Sequence, residues 1–233
     1  RLRGNLLPFE QIQEPEQAIR FIDRHGACVL KPSIGTLGER ILLLERDGDH
    51  YIAADNLHLH RLNKQDLAVL IGRLAQERTF LIQRFVLSET RDGLPYYLRL
   101  HKVRLPDGSW QTAAYVPTIS LWAGKKIVNH KSVLEVFARW KAFSEYEYPA
   151  ADRRQQIQLA LDRFGAAVVR ELDKRLPDLP GELALDLAID ADGHPWLLEA
   201  NMNLMGSSFR EFEIAKAMIP AALALVRNNK SSN

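Results

Sequence analysis

Three oxygen-bearing side chains near the end of the chain, Asp186, Glu199 and Asn201, could together hold a cation. Asp186 lies in one apolar run and Glu199 follows another, with the turn-forming residues 190–193 between them. Two antiparallel strands joined at that turn would place Asp186 within about two residues of the position opposite Glu199. Alternation along the second strand points Glu199 and Asn201 to the same face. Carboxylate and amide oxygens on a rigid sheet suit Mg²⁺, which is commonly shared with substrate phosphates.

The same hairpin is compatible with a purely structural role, because Asp and Asn form turns and glutamates are often solvated. Phosphate chemistry elsewhere in the chain favours the cation site. Lys31 closes an apolar strand, and the loop after it contains Gly35 together with the hydroxyl donors Ser33 and Thr36. Backbone N–H groups of such a loop can surround an anion, although the same residues also form plain turns. We expect the loop 33–40 to be mobile without nucleotide and ordered with it.

A second apolar strand, predicted over residues 79–86, could contact the base of a nucleotide. Its backbone edge can bind an adenine ring, and the nearby acid Glu89 can bind a ribose hydroxyl. The candidate nucleotide-binding residues of this segment are Gln83, Arg84, Phe85, Val86 and Glu89.

The composition is that of an ordinary globular protein with a small partner. The 233 residues are 46% hydrophobic and carry a formal net charge of +2, which indicates neither a nucleic-acid surface nor a membrane-surface patch. No apolar run approaches the roughly 20 residues of a membrane span. The single cysteine, Cys28, lies in an apolar run, as expected for a core thiol in a reducing compartment. The chain starts at Arg1 rather than at a methionine, so we expect that it has been trimmed or renumbered.

The elements that must position these residues alternate between strands and helices, with antiparallel pairing in the second half. Predicted helices cover residues 15–24, 64–76, 152–176 and 209–227, and predicted strands include 51–54, 79–86, 96–105 and 110–119. Asp152 and Gln155 form a capping-box pattern at the start of the longest helix.

Three of these segments, in this order, resemble the ATP-grasp superfamily. They are VLKP with its loop, LIQRFV, and the spacing Asp186-x12-Glu199-x-Asn201. The superfamily resemblance spans nearly the whole chain. Within the superfamily, three segments look most like the YheC/YheD group of spore-coat-associated ATP-grasp proteins: FLIQRFV, LRLHKVRLPDGSWQTAAYV and GELALDLAIDADGHPWLLEANMN. RimK-like ligases are a more distant likeness. The resemblance implies two α+β subdomains, residues 1–82 and 83–233, with the nucleotide cleft between them.

The resemblance also implies a role for each candidate residue. Lys31 would contact the nucleotide phosphates, residues 83–86 would line adenine, and the three hairpin residues would hold Mg²⁺. Arg99, in the segment YLRLH, would face the phosphates or an acyl phosphate, although Tyr97 stands where relatives carry an aspartate. The implied cofactors are ATP and Mg²⁺. The implied reaction is activation of an unknown carboxylate as an acyl phosphate, which an amine or thiol then captures.

Two questions stay open at this level. The general base could be any of four residues that are equally expected at the surface, His101, Lys102, His130 and Lys131. The alternative function is that of a non-catalytic, spore-coat-associated structural protein with the same fold. A cytoplasmic or spore-associated location is expected in either case.

Overall fold

The computed structural model describes residues 2–35, 40–55, 57–122, 124, 126–128, 135–202, 215–216, 219–220 and 223. These residues form two antiparallel sheets, and each sheet packs one face against two helices. The elements of the first half are β1 (Phe9–Ile12), α1 (Pro15–His25), β2 (Ala27–Pro32), β3 (Leu42–Asp47), β4 (His50–Ala54), β5 (Leu59–Leu62), α2 (Lys64–Glu77) and β6 (Phe80–Arg84).

The first sheet has the strand order β1-β6-β2-β3-β4-β5. Helix α1 begins with Pro15, whose missing N–H is not needed in the first turn, and ends at His25, before Gly26 with φ 77°. Helix α2 begins where the side chain of Asn63 accepts a hydrogen bond from the amide of Asp66 at 2.9 Å. The apolar faces of both helices bury one face of the sheet, where Cys28 lies fully enclosed. The opposite face carries Lys31 and Gln83.

The second half contains β7 (Tyr96–Arg104), β8 (Trp110–Ser120), β9 (Glu135–Phe137), α3 (Trp140–Glu147), α4 (Ala151–Arg175), β10 (Glu182–Ile189) and β11 (Pro195–Asn201). The strand order in this sheet is β11-β10-β7-β8-β9. Helix α4 buries the stripe predicted for it, Ile157, Leu161, Phe164 and Val168, against the sheet. The predicted capping box is wrong. The helix begins at Ala151, so Asp152 lies inside the first turn, and no side chain caps the preceding Ala150.

The N-terminal segment and β6 connect the two halves. Leu6 forms a parallel bridge with Leu197 of β11, and the amide of Leu197 donates to the carbonyl of Asn5 at 3.0 Å. At the end of β6 the guanidinium of Arg84 lies 5.2 Å from the ring centroid of Trp196. The subdomain boundary expected after residue 82 falls inside β6, which completes the first sheet through Arg84.

Most predicted elements are present with ends that differ by one or two residues. Among the described residues, five elements were not predicted: β1, β5, β9, α3 and a short 3₁₀ helix, Leu2–Gly4. The helix predicted over 209–227 lies almost wholly outside the described residues. Within the described part of the chain, no helix combines the length and the apolar character needed to span a membrane.

Candidate functional site

The hairpin β10–β11 brings together the three residues first singled out. Asp186 pairs directly with Glu199, and Ala184 pairs with Asn201, so the predicted register is confirmed. The register shifts after Asp186, which marks a bulge beside the site. The side-chain amide of Asn201 donates to Asp186 Oδ2 at 3.1 Å. The three side chains therefore share one surface, the face of the second sheet that is not packed against α4.

Arg99 lies opposite Asp186 on the neighbouring strand β7. Its Nε and Nη2 atoms donate to the two carboxylate oxygens of Asp186 at 2.7 and 2.8 Å, and both side chains are only 15% and 13% exposed. Burial alone would lower the pKa of Arg99, but its bonds to Asp186 raise it above the usual value. On the same face, burial and the Asp186 carboxylate raise the pKa of Tyr97 to about 12, so the phenol stays protonated at neutral pH.

Glu199 is an exposed residue, and the preceding residues 196–198 are half-buried. Among the described residues its carboxylate has no hydrogen bond or ion pair. The surrounding cleft nevertheless removes enough water to raise the pKa of Glu199, and repulsion from Asp186 raises it further. Lys31 and Arg99 act in the opposite direction. Two carboxylates on one face thus have different surroundings, one paired and one open.

Lys31 connects the first sheet to this hairpin. Its Nζ atom donates to Gln83 Oε1 and to the carbonyl oxygen of Leu198, each at 3.0 Å. Burial lowers the pKa of Lys31 below its usual value, and the nearby carboxylates of Glu199 and Asp186 only partly offset this effect. A strand-end cation from one sheet and the carboxylate pair of the other therefore meet in one cleft.

The loop after Lys31 is described only in part. The amide of Ser33 donates to the carbonyl of Thr79 at 2.9 Å, so this amide extends the pairing of β2 with β6. Gly35 is exposed. Thr36 and the following residues up to 39 lie outside the described part of the chain. The expectation that nucleotide orders this loop therefore stays a prediction.

The segment after β6 divides its backbone groups between the sheet and the cleft. The amide of Phe85 donates to the carbonyl of Ala27 at 2.9 Å, whereas the amides of Val86 and Leu87 make no hydrogen bond to any described residue. Within the described part of the chain the two amides thus have no acceptor, and the sequence alone did not single out Leu87. Glu89 is exposed and pairs with Pro95 in an isolated bridge.

The expectation that His101 and Lys102 are surface residues is wrong. His101 is 1% exposed on the face that carries Arg99, and its Nε2 atom lies 2.6 Å from Glu182 Oε1 without the alignment of a hydrogen bond. Burial lowers the pKa of His101. Lys102 is 3% exposed on the opposite face, where Nζ donates to Thr112 Oγ1 at 3.0 Å. The other two base candidates, His130 and Lys131, are outside the described residues.

The donor chemistry of the hairpin fits Mg²⁺, since it offers two carboxylates and an amide oxygen. In the observed conformation, however, both oxygens of Asp186 accept from Arg99, and Asn201 presents its NH₂ group rather than its oxygen. Within the described residues, no group of three or more His, Cys, Asp or Glu side chains is arranged around a common cation position.

Comparison with known proteins identifies the family. The model of YheC/D-like ATP-grasp proteins matches residues 2–226. The chain belongs to this family. The endospore coat-associated protein YheC of Bacillus subtilis is 23% identical over 199 residues, which cover 82% of this chain and 52% of YheC. The chain therefore spans about half the length of its curated relative.

Solved structures agree with the fold of the YheC/D-like family. The D-cycloserine synthetase DcsG superposes with a TM-score of 0.52 at 17% identity, over 94% of this chain and 65% of DcsG. N5-carboxyaminoimidazole ribonucleotide synthetase in complex with ADP gives a TM-score of 0.51 at 17% identity, over 87% of this chain and 42% of the synthetase. The α+β architecture is thus the ATP-grasp fold, as the family resemblance implied.

Proposed function

We propose that this YheC/D-like ATP-grasp chain binds Mg-ATP in the cleft between its two sheets. The observation that carries the proposal is the position of Lys31, which reaches from β2 to the carbonyl of Leu198 beside the carboxylate hairpin. A phosphate-binding cation and a set of cation ligands thereby occupy one cleft. The ADP bound to the structurally similar ribonucleotide synthetase supports the same assignment.

Different residues of the cleft would bind the phosphates, the base and the ribose of the nucleotide. In this proposal Lys31 binds the phosphates, the backbone amides of Val86 and Leu87 donate to the base, and Glu89, which is exposed, binds a ribose hydroxyl. Asp186, Glu199 and Asn201 would hold Mg²⁺, which supplies charge neutralisation at the phosphate oxygens when bound. Lys31 and Arg99 supply the remaining positive charge.

The reaction proposed for this site is ATP-dependent ligation. A substrate carboxylate oxygen attacks the γ-phosphorus, the bond to the bridging oxygen breaks, and ADP leaves with an acyl phosphate formed. An amine or thiol then attacks the acyl carbon and inorganic phosphate leaves, giving an amide or thioester. The chain's contribution is alignment and charge stabilisation.

A non-catalytic role is the second candidate, and one specific observation favours it. The curated relative is named an endospore coat-associated protein, and that name describes a location rather than a reaction. In this alternative the chain binds nucleotide, or only keeps the fold, as a component of an assembly.

Two measurements test these proposals in sequence. Thermal unfolding with ATP and Mg²⁺ at about 100 times the dissociation constant should show roughly 2.7 kcal/mol of added stability that disappears with EDTA. ADP release is then measured with panels of amino acids and short peptides as carboxylate and amine donors. Binding with no ADP release from any pair would support the non-catalytic role, whereas the absence of any Mg-dependent stabilisation would contradict nucleotide binding itself.

A further inference from the structure

The ion pair of Arg99 and Asp186 engages a carboxylate that the proposed cation would need as a ligand. Two parallel hydrogen bonds of 2.7 and 2.8 Å engage both carboxylate oxygens, and Asn201 adds a third at 3.1 Å. The guanidinium matches a carboxylate in this fork geometry and holds it in a fixed orientation. Asp186 is therefore already neutralised by a cation that belongs to the chain.

The two cations and two carboxylates at this hairpin have balanced formal charges. Lys31 and Arg99 carry two formal positive charges, and Asp186 and Glu199 carry two negative ones, with each cation acting electrostatically on both carboxylates. A divalent cation added alone must compete with Arg99 for Asp186 and leaves the cluster with a surplus of two positive charges. A nucleotide added alone brings its phosphates towards both carboxylates while Arg99 stays bound to one of them. Each ligand by itself meets an unfavourable arrangement.

We propose that Arg99 is an internal substitute for the divalent cation, held by Asp186 until cation and nucleotide arrive together and then transferred to the phosphate groups. This inference rests on the proposed Mg-ATP function and adds a regulatory property to it. Asp186 would serve as a ligand of the cation once its hydrogen bonds to Arg99 are broken, and the Arg99 guanidinium would then be available to the nucleotide phosphates. Binding of either ligand thus strengthens binding of the other, and the coupling factor is the same in both directions.

A second arginine–aspartate pair on the same strand provides a matched control. Arg104 Nη2 lies 2.5 Å from Asp173 Oδ1, and its guanidinium stacks 4.8 Å from the ring centroid of Trp110. Asp173 belongs to α4, so this pair ties the helix to the other face of the sheet. Removing Arg104 breaks an ion pair of similar chemistry without touching the cleft.

The test compares the wild type with Arg99→Gln and Arg104→Gln. Mn²⁺ binding without nucleotide is measured by electron paramagnetic resonance, and binding of adenylyl imidodiphosphate is measured by calorimetry with and without Mg²⁺. Arg99→Gln should bind Mn²⁺ alone about 5- to 150-fold more tightly, the usual range for coupling between sites. The same variant should bind the nucleotide analogue more weakly and lose most of the Mg²⁺ dependence. Arg104→Gln should behave like the wild type in all three measurements.

A static structural pair predicts a different pattern. Arg99→Gln would then leave Mn²⁺ affinity unchanged or weaken it, and that result overturns the proposal. If the variant does not fold, the wild type labelled with ¹⁵N at arginine Nε decides. The Arg99 resonance should shift on addition of Mg²⁺ with the analogue, and an unchanged resonance at saturation also overturns the proposal.

Nucleotide binding and the exchange of Arg99 for a cation can be tested separately. Nucleotide binding by the wild type without any change in Mn²⁺ affinity in Arg99→Gln would reject the substitution mechanism and leave the proposed function intact. Absence of nucleotide binding by the wild type would reject the proposed function, and the claim that binding of the two ligands is coupled would fail with it.

Discussion

Asp186 and Glu199 face each other across β10 and β11, yet only Asp186 is held by neighbouring side chains. Arg99 and Asn201 orient the Asp186 carboxylate, whereas the Glu199 carboxylate is exposed and has no hydrogen bond from any described residue. A ligand entering the cleft thus meets one open carboxylate and one that must first exchange its partner. The difference predicts unequal effects of removing each charge.

Glu199→Gln should abolish Mg-dependent nucleotide binding and raise the thermal midpoint of the metal-free protein at pH 7. The pKa of Glu199 is raised in the folded state, so the folded protein binds this proton more tightly than the unfolded chain, whose glutamate pKa is about 4.3. The resulting stability is fully present below that unfolded pKa and is lost as the pH rises through the folded pKa. Gln keeps the shape and removes the repulsion with Asp186. Thermal unfolding with and without Mg-ATP measures both effects.

Asp192→Asn is the control for Glu199→Gln, because Asp192 is exposed in the turn of the same hairpin. Its substitution should leave both Mg-dependent nucleotide binding and the thermal midpoint of the metal-free protein unchanged. Equal losses in the two variants, or a silent Glu199→Gln, would show that the hairpin is a structural element.

Lys31→Met should weaken nucleotide binding by about 10- to 100-fold, since a hydrogen bond to a charged group contributes about 1.5–3 kcal/mol. The methionine fills the same half-buried space, so the fold should remain. Lys174→Met, at an exposed position near the end of α4, serves as the control and should bind nucleotide like the wild type. Calorimetric titration with ADP and Mg²⁺ compares the three proteins. Equal affinity in all three would exclude Lys31 from phosphate binding.

His101 should make the protein less stable in weak acid. Burial lowers its folded pKa below the unfolded value of about 6.5, so the unfolded chain takes up the proton first as the pH falls. Stability is therefore lost as pH falls from about 6.5 towards the folded pKa, by at most about 1.4 kcal/mol per pH unit. Urea unfolding of wild type and His101→Gln between pH 7.5 and 5.5 should show a shallower pH dependence in the variant.

The exposed His60, on β5, provides the control for this experiment. His60→Gln also removes an imidazole but leaves the buried pair of His101 and Glu182 in place. Its pH dependence should follow that of the wild type. If His101→Gln retains the full wild-type pH dependence, another group causes the acid sensitivity.

The sequence predicted the parts of the fold that have strong local signals. The register of Asp186 and Glu199 follows from the length of the hairpin, and α4 follows from its apolar stripe. Strand β5 has an exposed LHRL sequence without apolar alternation, so its position at the sheet edge depends on pairing with β4. The burial of His101 depends equally on tertiary packing. Arg99 and Asp186 are 87 positions apart in the sequence, so no local pattern can reveal the hydrogen bonds between them.

Two helical glycines should respond in opposite ways to alanine, and the contrast tests the packing that supports the site. A Cβ atom at Gly72 in α2 would lie 3.5 Å from Pro15 Cγ, an ordinary contact, so Gly72→Ala should gain about 0.5–1 kcal/mol from helix propensity. A Cβ atom at Gly165 in α4 would lie 2.5 Å from Leu100 Cδ2. Leu100 is fully buried, and overpacking costs about 1–3 kcal/mol, which exceeds the propensity gain.

Gly165→Ala should therefore lose up to about 2 kcal/mol in urea unfolding, and Gly165→Ala with Leu100→Val should recover part of that loss because the valine side chain is one methylene shorter and draws its methyl groups back from Gly165. Leu100 is next to Arg99 on β7, so displacement of the strand would also shift the guanidinium against Asp186. The single variant should consequently weaken Mg-dependent nucleotide binding, while Gly72→Ala should not. Equal stabilisation by both alanines would mean that Leu100 can move aside freely, and that α4 does not fix the position of the strand that carries Arg99.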